Sequence, residues 1–221
     1  VLFRSPSVGR SRAYPRGVSS PEMRIDEATV GDDPYAVVAR WWEAAKAATG
    51  DIERSSPMSV ASVDAAGRPS VRVVLLRGLD DRGFVFYTNY DGRKGRELVP
   101  GAPGALVIHW PDLGAQVRAE GEVERVDAEE SDAYFAARPR GHRIGAWVSP
   151  QSEVIPDRAF LEDRERAFAE RFEGSEVPRP EHWGGIRLVP RVIEVWGNRH
   201  DRIHDRFRFT DRKSTRLNSS H

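Results

Sequence analysis

The sequence predicts a mainly β (α+β) domain in which antiparallel strands form a barrel or sandwich with flanking helices. Apolar and polar residues alternate with a period of two in several short segments, which is typical of strands with one buried face. Turns rich in glycine, proline and aspartate separate these segments at short spacing. Helical periodicity is confined to a few stretches between them, which indicates helices around a sheet.

The first predicted element is a helix that begins at Asp33-Pro34, where aspartate caps the first turn and proline suits the first helical position. Apolar residues then recur at helical spacing until Gly50 ends the helix. A short basic helix or turn is predicted at residues 93–98. Three strands with turns between them precede it, at residues 58–63, 70–76 and 84–89.

The clearest strand spans residues 116–126, in which Val117, Ala119 and Val123 alternate with charged residues. A turn at residues 111–114 joins it to another apolar segment, which predicts an antiparallel hairpin. The apolar segment spans residues 105–110. Two amphipathic helices are predicted at residues 128–137 and 157–172, and two late strands at residues 186–196 and 203–209.

Composition excludes several classes of protein. The 221 residues include 34 Lys plus Arg and 34 Asp plus Glu, and this zero net charge argues against a strongly basic nucleic-acid binder. Cysteine is absent, which excludes disulfides, thiolate metal sites and a cysteine nucleophile. No apolar run is long enough for a transmembrane helix or a signal peptide. We expect a cytoplasmic protein without a nucleic-acid or membrane partner.

The two ends of the chain differ from its middle. The beginning is rich in arginine, serine, proline and glycine without hydrophobic periodicity, so residues 1–32 are predicted to form a flexible N-terminal arm. Residues 33–210 are predicted to form one folded domain. Residues 211–221 are polar and patternless after a good strand, and we interpret them as a non-native or disordered tail.

Clustered cations follow two of the predicted strands. Arg72 and Arg77 flank an apolar run, and both side chains could bind an anion. Taken alone, this segment is better explained as a buried strand with a solvated charge at each end. Farther on, the hydroxyls of Tyr87 and Thr88 precede Arg93-Lys94. This combination suits a phosphate, and an ordinary strand-to-helix turn accounts for it equally well.

Two later segments are also dense in polar function. Residues 138–143 crowd four cationic or near-cationic side chains into a predicted loop, which is costly unless an anion or water screens them. In residues 196–206, Arg202, His204 and Arg206 alternate and can point to one side of a strand. We predict no metal site, because histidines four apart share a face only on a helix. Nucleotide-binding glycine motifs and a nucleophile elbow are absent.

Taken together and in this order, these segments resemble the pyridoxamine 5′-phosphate oxidase family, also called pyridoxine 5′-phosphate oxidase. The resemblance runs from about Asp33 to Phe209. It is carried by RVVLLRGLDDRGFVFYTNYDGRKGREL, QVRAEGEVERV, YFAARPRGHRIGAWVSPQS, WGG and EVWGNRHDRIHDR. It implies an FMN-binding split β-barrel that forms a homodimer with FMN at the subunit interface. It also implies oxidation of pyridoxamine and pyridoxine 5′-phosphates to pyridoxal 5′-phosphate, with O2 as acceptor and H2O2 as product.

The resemblance also implies a set of cofactor contacts, with Arg72, Arg93 and Lys94 around the FMN phosphate. By matching position, the FMN-binding residues are Arg72, Val73, Val74, Leu75, Leu76, Arg77, Tyr87, Thr88, Arg93, Lys94, Gln116, Gln151, Ser152, Trp196 and Arg206. Arg202 and His204 are implied as the catalytic pair, which would orient the substrate against the flavin and balance developing charge. The implied substrate-binding residues are Arg77, Tyr134, Arg138, His142, Arg202, Ile203 and His204.

The chain departs from the family pattern at three positions. The family usually has lysine at Arg77, often serine at His142 and commonly glutamine at Gly197. A related FMN oxidase of another pathway, such as phenazine biosynthesis, is an alternative. The WGN at residues 196–198 favours it, whereas the RPR…IGAWVS block favours the vitamin B6 enzyme, because it supplies the substrate-phosphate contacts that the resemblance implies. A non-catalytic flavin- or haem-binding split barrel is a third possibility, against which the presence of Arg202 and His204 argues.

Overall fold

The computed structural model describes residues 25–199 and 203–210, and the backbone of residues 213–216. Its strands pair antiparallel in one sheet, in the order β2-β1-β5-β6-β7-β4-β3, with β8 on β7 and β9 on β8. The strands are β1 (Pro57–Val63), β2 (Pro69–Leu75), β3 (Gly78–Asp80), β4 (Gly83–Asn89), β5 (Pro103–Trp110), β6 (Ala115–Arg125), β7 (Trp183–Gly197), β8 (Asp205–Thr210) and β9 (Lys213–Arg216).

Helices flank this sheet and connect its strands. A single 3₁₀ turn, Pro111–Leu113, makes the predicted hairpin between β5 and β6. The α-helices are α1 (Pro34–Thr49), α2 (Ile52–Ser55), α3 (Arg93–Glu97), α4 (Ala128–Ala137), α5 (Arg140–Val148) and α6 (Arg158–Arg171).

The long strand β7 gives the sheet its curl. Residues 186–197 of it pair with β6, while its first part pairs with β4 and its last part pairs with β8. A bulge interrupts the β6–β7 register between Glu120 and Gly121. A Cβ on Gly121 would lie 2.0 Å from the carbonyl oxygen of Val189, so only glycine permits this approach. The result is a curled antiparallel half-barrel with flanking helices, which confirms the predicted fold class.

The main core lies between α1 and the concave face of the sheet. The Asp33 carboxylate accepts a hydrogen bond from the Tyr35 backbone N–H at 2.9 Å, which confirms the predicted helix cap. Trp41 of α1 is fully buried, as are Phe84 and Ile108 of the sheet. Burial of such large side chains is the main stabilising contribution to the domain.

A second apolar cluster, built on Phe135, Ile144, Val148, Phe172 and Trp183, fixes α4, α5 and α6 against the start of β7. The prediction of a loop at residues 138–143 is wrong from Arg140 onward, where α5 begins. The backbone N–H groups of His142 and Arg143 donate to the Pro139 carbonyl, and the buried faces of Ile144 and Val148 hold the helix in place.

Part of the predicted N-terminal arm packs on the domain. Ile25 is fully buried and Val30 is 4% exposed, and the Arg199 guanidinium donates to the Ile25 carbonyl at 3.4 Å. At the other end, β9 extends the sheet past residue 210. The domain boundaries themselves stay a prediction. Among the described residues, no helix combines the length and apolar character needed to cross a membrane.

Candidate active site

A cavity of about 580 Å³ opens where β2 and β4 end, beside α3 and the α4–α5 junction. Eleven predicted ligand-binding residues line it: Val73, Val74, Leu75, Arg77, Tyr87, Thr88, Lys94, Tyr134, Arg138, His142 and Gln151. Five further lining residues are absent from the predicted set: Glu53, Asn89, Ala137, Pro139 and Trp183. Asn89 and Trp183 fall within segments that carried the resemblance, whereas no sequence signal pointed to Glu53.

One wall of the cavity is a stack of aromatic rings. Tyr87 and Tyr134 lie 3.8 Å apart with an interplanar angle of 7°, and Trp183 stacks 5.5 Å from Tyr87. The Arg138 guanidinium lies 4.6 Å from the centre of the Trp183 ring. Burial, and then the nearby Glu130 carboxylate, raises the pKa of Tyr87, so its phenol stays protonated at neutral pH. A flat wall of this kind suits a planar aromatic ligand.

The cavity carries an excess of positive charge. Arg138 Nη1 is buried and has no hydrogen-bond partner among the described residues. Burial lowers the pKa of Arg138, and burial followed by repulsion from Arg72 lowers the pKa of Lys94. Both shifts show that the cavity holds these cations at a cost that a bound anion would relieve. An unpartnered donor and closely placed cations fit a phosphate group, and the residues present therefore fit FMN and a phosphorylated substrate.

A loop distant in sequence closes the end of the cavity at Lys94. Lys94 Nζ donates to Gln151 Oε1 at 2.6 Å, and the Arg93 backbone N–H donates to Ser152 Oγ at 3.1 Å. Ser152 adopts a left-handed conformation with φ of 69° to make this approach. A Cβ on Gly92 would lie 2.8 Å from Gln151 Oε1, so glycine lets the loop come close.

Other predicted cofactor residues lie outside the cavity lining. Arg72 Nη2 lies 3.0 Å from Glu97 Oε2, and Arg93 Nε lies 2.7 Å from Glu97 Oε1. The Glu97 side chain is only 7% exposed, and it also accepts hydrogen bonds from Ser62 and Ser70. Sequence reasoning missed Glu97, although its spacing of four from Arg93 is the signal for an ion pair within a helical turn. Leu76 belongs to the core and is fully buried.

The ion pairs of Glu97 predict a pH-dependent stability. Hydrogen bonds from Ser62, Ser70, Arg93 and Arg72 outweigh burial and lower the pKa of Glu97 from 4.5 to about 2. The unfolded chain therefore binds more protons between these values. The stabilising contribution of Glu97 is complete above pH 4.5 and is lost as the pH falls toward 2.

We expect Glu97→Ala to lower the free energy of unfolding by about 1–3 kcal/mol at pH 7. Urea unfolding of both proteins at pH 7 and near pH 3 measures the difference, which should shrink at the lower pH. The control is Glu162→Ala, which removes an exposed carboxylate paired with Arg158 and should change stability by less than about 0.5 kcal/mol. A difference that stays constant or widens on acidification would contradict the role of Glu97.

The remaining predicted residues form a second group, away from the cavity. Gln116 of β6 pairs with Trp196 of β7, which pairs with Arg206 of β8, so these half-buried residues form one row across three strands. The His204 ring lies 4.6 Å from the Trp196 ring. Ile203 is 69% exposed. The predicted catalytic residue Arg202 lies outside the described residues.

No group of three or more His, Asp or Glu side chains is placed to hold a metal ion, within the part of the chain that the structure describes. The predicted site residues that the structure describes fall mainly into two features, the cavity and the row on β6, β7 and β8. The structure does not bring the row into the cavity of the same chain.

Comparison with known proteins relates both features to one family. A family model described as pyridoxamine 5′-phosphate oxidase matches residues 44–170. The chain belongs to the pyridoxamine 5′-phosphate oxidase family. A second model, described as the pyridoxine 5′-phosphate oxidase C-terminal dimerisation region, matches residues 183–219, which include β7 and β8. The family resemblance predicted from the sequence is confirmed.

Relatives named pyridoxine/pyridoxamine 5′-phosphate oxidase cover most of the chain. The protein of Burkholderia multivorans is 53% identical over 186 residues, which are 84% of this chain and 86% of that relative. The protein of Cupriavidus necator is 49% identical over 185 residues, with the same coverage of 84% and 86%.

Solved structures of pyridoxamine 5′-phosphate oxidase-like proteins share the fold. PhzG from Burkholderia lata, in complex with tetrahydrophenazine-1-carboxylic acid, aligns with a TM-score of 0.80 at 28% identity, over 90% of this chain and 97% of PhzG. A pyridoxamine 5′-phosphate oxidase-related, FMN binding protein from Nostoc punctiforme aligns with a TM-score of 0.64 at 16% identity, over 85% of this chain and 98% of that one. At that identity, the second likeness concerns the fold alone.

Proposed function

We propose that this chain is an FMN-dependent oxidase that converts pyridoxamine 5′-phosphate and pyridoxine 5′-phosphate to pyridoxal 5′-phosphate, with O2 as acceptor and H2O2 as product. The observation that carries the proposal is the half-buried Arg138 side chain, whose buried Nη1 has no hydrogen-bond partner among the described residues and which lies beside an aromatic wall. A substrate with a planar ring and a phosphate dianion matches both parts. The identity of about 50% to proteins named for this activity supports the same reading.

Each end of the cavity has a separate task in this proposal. Lys94, which lines the cavity, would hold the FMN phosphate. Arg72 and Arg93, which both pair with Glu97, would add positive charge near it. Bound FMN supplies the redox chemistry, including reaction with O2. At the other end, the substrate phosphate would be held by Arg77, Tyr134, Arg138 and His142.

The aromatic wall would position the substrate ring and exclude water from it. Tyr87 and Tyr134, whose rings stack on each other, both line the cavity, and they pack against the second apolar cluster. Tyrosine hydroxyls are neutral at pH 7, so the wall adds no negative charge beside a phosphate. These residues therefore orient and desolvate the substrate.

We further propose that the functional unit is a homodimer in which the row Gln116–Trp196–Arg206 of one copy completes the cavity of the other. Neighbouring residues on the same strands, such as Val117 and Val195, are buried in the core, so the row occupies the opposite face of the sheet. The match to a dimerisation region over β7 and β8 supports this arrangement. The catalytic roles of Arg202 and His204 belong to the same proposal.

An oxygen-electrode assay tests the activity directly. We expect the purified protein to be yellow, to release FMN on denaturation and to consume O2 with either pyridoxamine or pyridoxine 5′-phosphate. A colourless protein that fails to bind added FMN would contradict the cofactor assignment. Flavin binding without turnover of either phosphate would contradict the activity.

One structural observation favours a second candidate, an FMN oxidase acting on a tricyclic carboxylic acid. PhzG aligns over 90% of the chain, and its structure contains tetrahydrophenazine-1-carboxylic acid. The aromatic wall would also accept such a ring system. The same assay separates the candidates, because O2 consumption with a phosphate-free tricyclic acid, and none with the two phosphates, would favour this one.

A further inference from the structure

The cavity contains an ion pair that was not expected from the sequence. Glu53 belongs to α2, whose first turn is capped by the Asp51 side chain. Arg77 lies two residues beyond the end of β2, and its backbone N–H donates to the Val85 carbonyl at 2.8 Å. Arg77 Nη2 donates to Glu53 Oε1, so the two side chains close on each other at the cavity.

The two partners differ in how firmly the protein holds them. The Arg77 side chain is 15% exposed, whereas the Glu53 side chain is 58% exposed. Glu53 can therefore rotate into water with little loss of solvation, but Arg77 cannot leave its position as easily. An ion pair with one well-solvated partner contributes little to stability and is readily exchanged.

The charges around the cavity show what would replace Glu53. Among the described lining residues, Glu53 is the only carboxylate, and it faces the cations Arg77, Lys94 and Arg138. Arg138 and Arg77 line the same cavity and are close enough to repel each other, so an anion held by both would meet Glu53 at Arg77. A carboxylate so close to a phosphate dianion is unfavourable, since like charges repel in a partly desolvated site.

We infer that Glu53 is an exchangeable counter-ion, which occupies Arg77 when the cavity is empty and is displaced by the phosphate of the substrate. This inference rests on the proposed function, because it requires a phosphorylated ligand at Arg77. Glu53 thus limits the affinity of the site for substrate and product, and it returns to Arg77 when the product leaves. It is a positioning residue, since it acts on the substrate through Arg77.

The experiment measures phosphate binding by the FMN-loaded protein in two ways. Calorimetry gives the dissociation constant of inorganic phosphate, and oxygen consumption gives KM and kcat for pyridoxine 5′-phosphate. We expect Glu53→Gln to lower the phosphate dissociation constant and KM by roughly two- to fivefold, while kcat does not fall. The gain should shrink at high salt, because ions screen the competing carboxylate.

Two controls distinguish an effect at Arg77 from a change in the general surface potential. Glu176→Gln removes a carboxylate that is 88% exposed and pairs with Arg143 outside the cavity, and it should leave both constants unchanged. In an Arg77→Gln background, Glu53→Gln should bring no gain, since the competition disappears with Arg77. A gain of the same size in that background would overturn the inference.

The inference and the proposed function fail in different ways. An unchanged or weaker affinity for inorganic phosphate in Glu53→Gln overturns the counter-ion role, whatever the turnover. Absence of O2 consumption by the wild-type protein with both phosphorylated substrates overturns the proposed activity, whereas calorimetry with inorganic phosphate still decides the role of Glu53.

Discussion

Arg138→Ala and Arg206→Gln, mixed and assayed at a pyridoxine 5′-phosphate concentration at which each variant alone is nearly inactive, are expected to restore about a quarter of the wild-type oxidase activity. Arg138 lines the cavity, whereas Arg206 belongs to the row on β8 and lies outside it. If each site combines the cavity of one copy with the row of its partner, a mixed dimer has one site that carries both changes and one intact site. Half of the randomly formed dimers are mixed, which leads to the expected fraction.

The choice of glutamine at position 206 keeps the fold intact. Arg206 Nη2 donates to Glu194 Oε2 at 2.7 Å, and Glu194 is only 4% exposed. An alanine would leave that buried carboxylate with only the longer contact to Arg118 Nε at 3.8 Å, which is destabilising. Glutamine retains a donor for Glu194 but lacks the positive charge proposed for ligand binding.

Each variant measured alone is the control, and size-exclusion chromatography should show that both are dimers. Co-expression with two different tags and purification of the mixed dimer should raise the restored activity to about half of wild type. If the mixture shows no more activity than the sum of its parts, the site is built within one chain and the proposed homodimeric site is wrong. Full activity of Arg206→Gln alone would show that the row is not part of the active site.

Replacing Arg138 with alanine is expected to raise KM for pyridoxine 5′-phosphate roughly 10- to 100-fold with little change in the stability of the protein. A charge-assisted hydrogen bond from a buried guanidinium to a phosphate supports a loss of this size. Stability should change little, because the lost cation–π contact with Trp183 is offset by removal of a cation whose Nη1 has no partner among the described residues and whose burial is unfavourable. Steady-state kinetics and thermal unfolding of the FMN-loaded protein measure the two effects.

Arg140, two residues farther along, is the matched control. Its guanidinium donates to the carbonyls of Phe172 and Ser175 at the end of α6, at 2.6 and 2.8 Å. Arg140→Ala should therefore lower the melting temperature, with a smaller effect on KM than Arg138→Ala. A KM within twofold of wild type for Arg138→Ala would contradict its assignment to the substrate phosphate.

Local patterns in the sequence predicted most of the strands and helices. Asp33 and Pro34 mark the start of α1 because capping and proline geometry depend only on nearby backbone. The alternation around Val117 predicts β6 because a strand buries every second residue. The segment from Tyr87 to Lys94 contributes several cavity residues that the sequence could predict together, because they are neighbours on one strand and the turn that follows it.

Helix α5 shows where local patterns were misleading. A run of like charges from Arg138 to Arg143 resembles a solvated loop when only neighbouring residues are considered. In the folded protein, each arginine has a distant environment: Arg138 lies over Trp183, Arg140 donates to carbonyls after α6, and Arg143 pairs with Glu176. These contacts span about 30 to 45 residues, and no local pattern reports them.

The sequence by itself determined the fold class, the family and the cations available for an anionic ligand, because these depend on periodicity, turn residues and ordered motifs. Only the tertiary structure decided how those cations are used. In the folded protein, Lys94 donates a hydrogen bond to Gln151, Arg72 and Arg93 form ion pairs with Glu97, and Arg77 forms an ion pair with Glu53. The physical reason is that the environment of a buried charge is set by side chains that chain folding brings near it, most of them from distant segments.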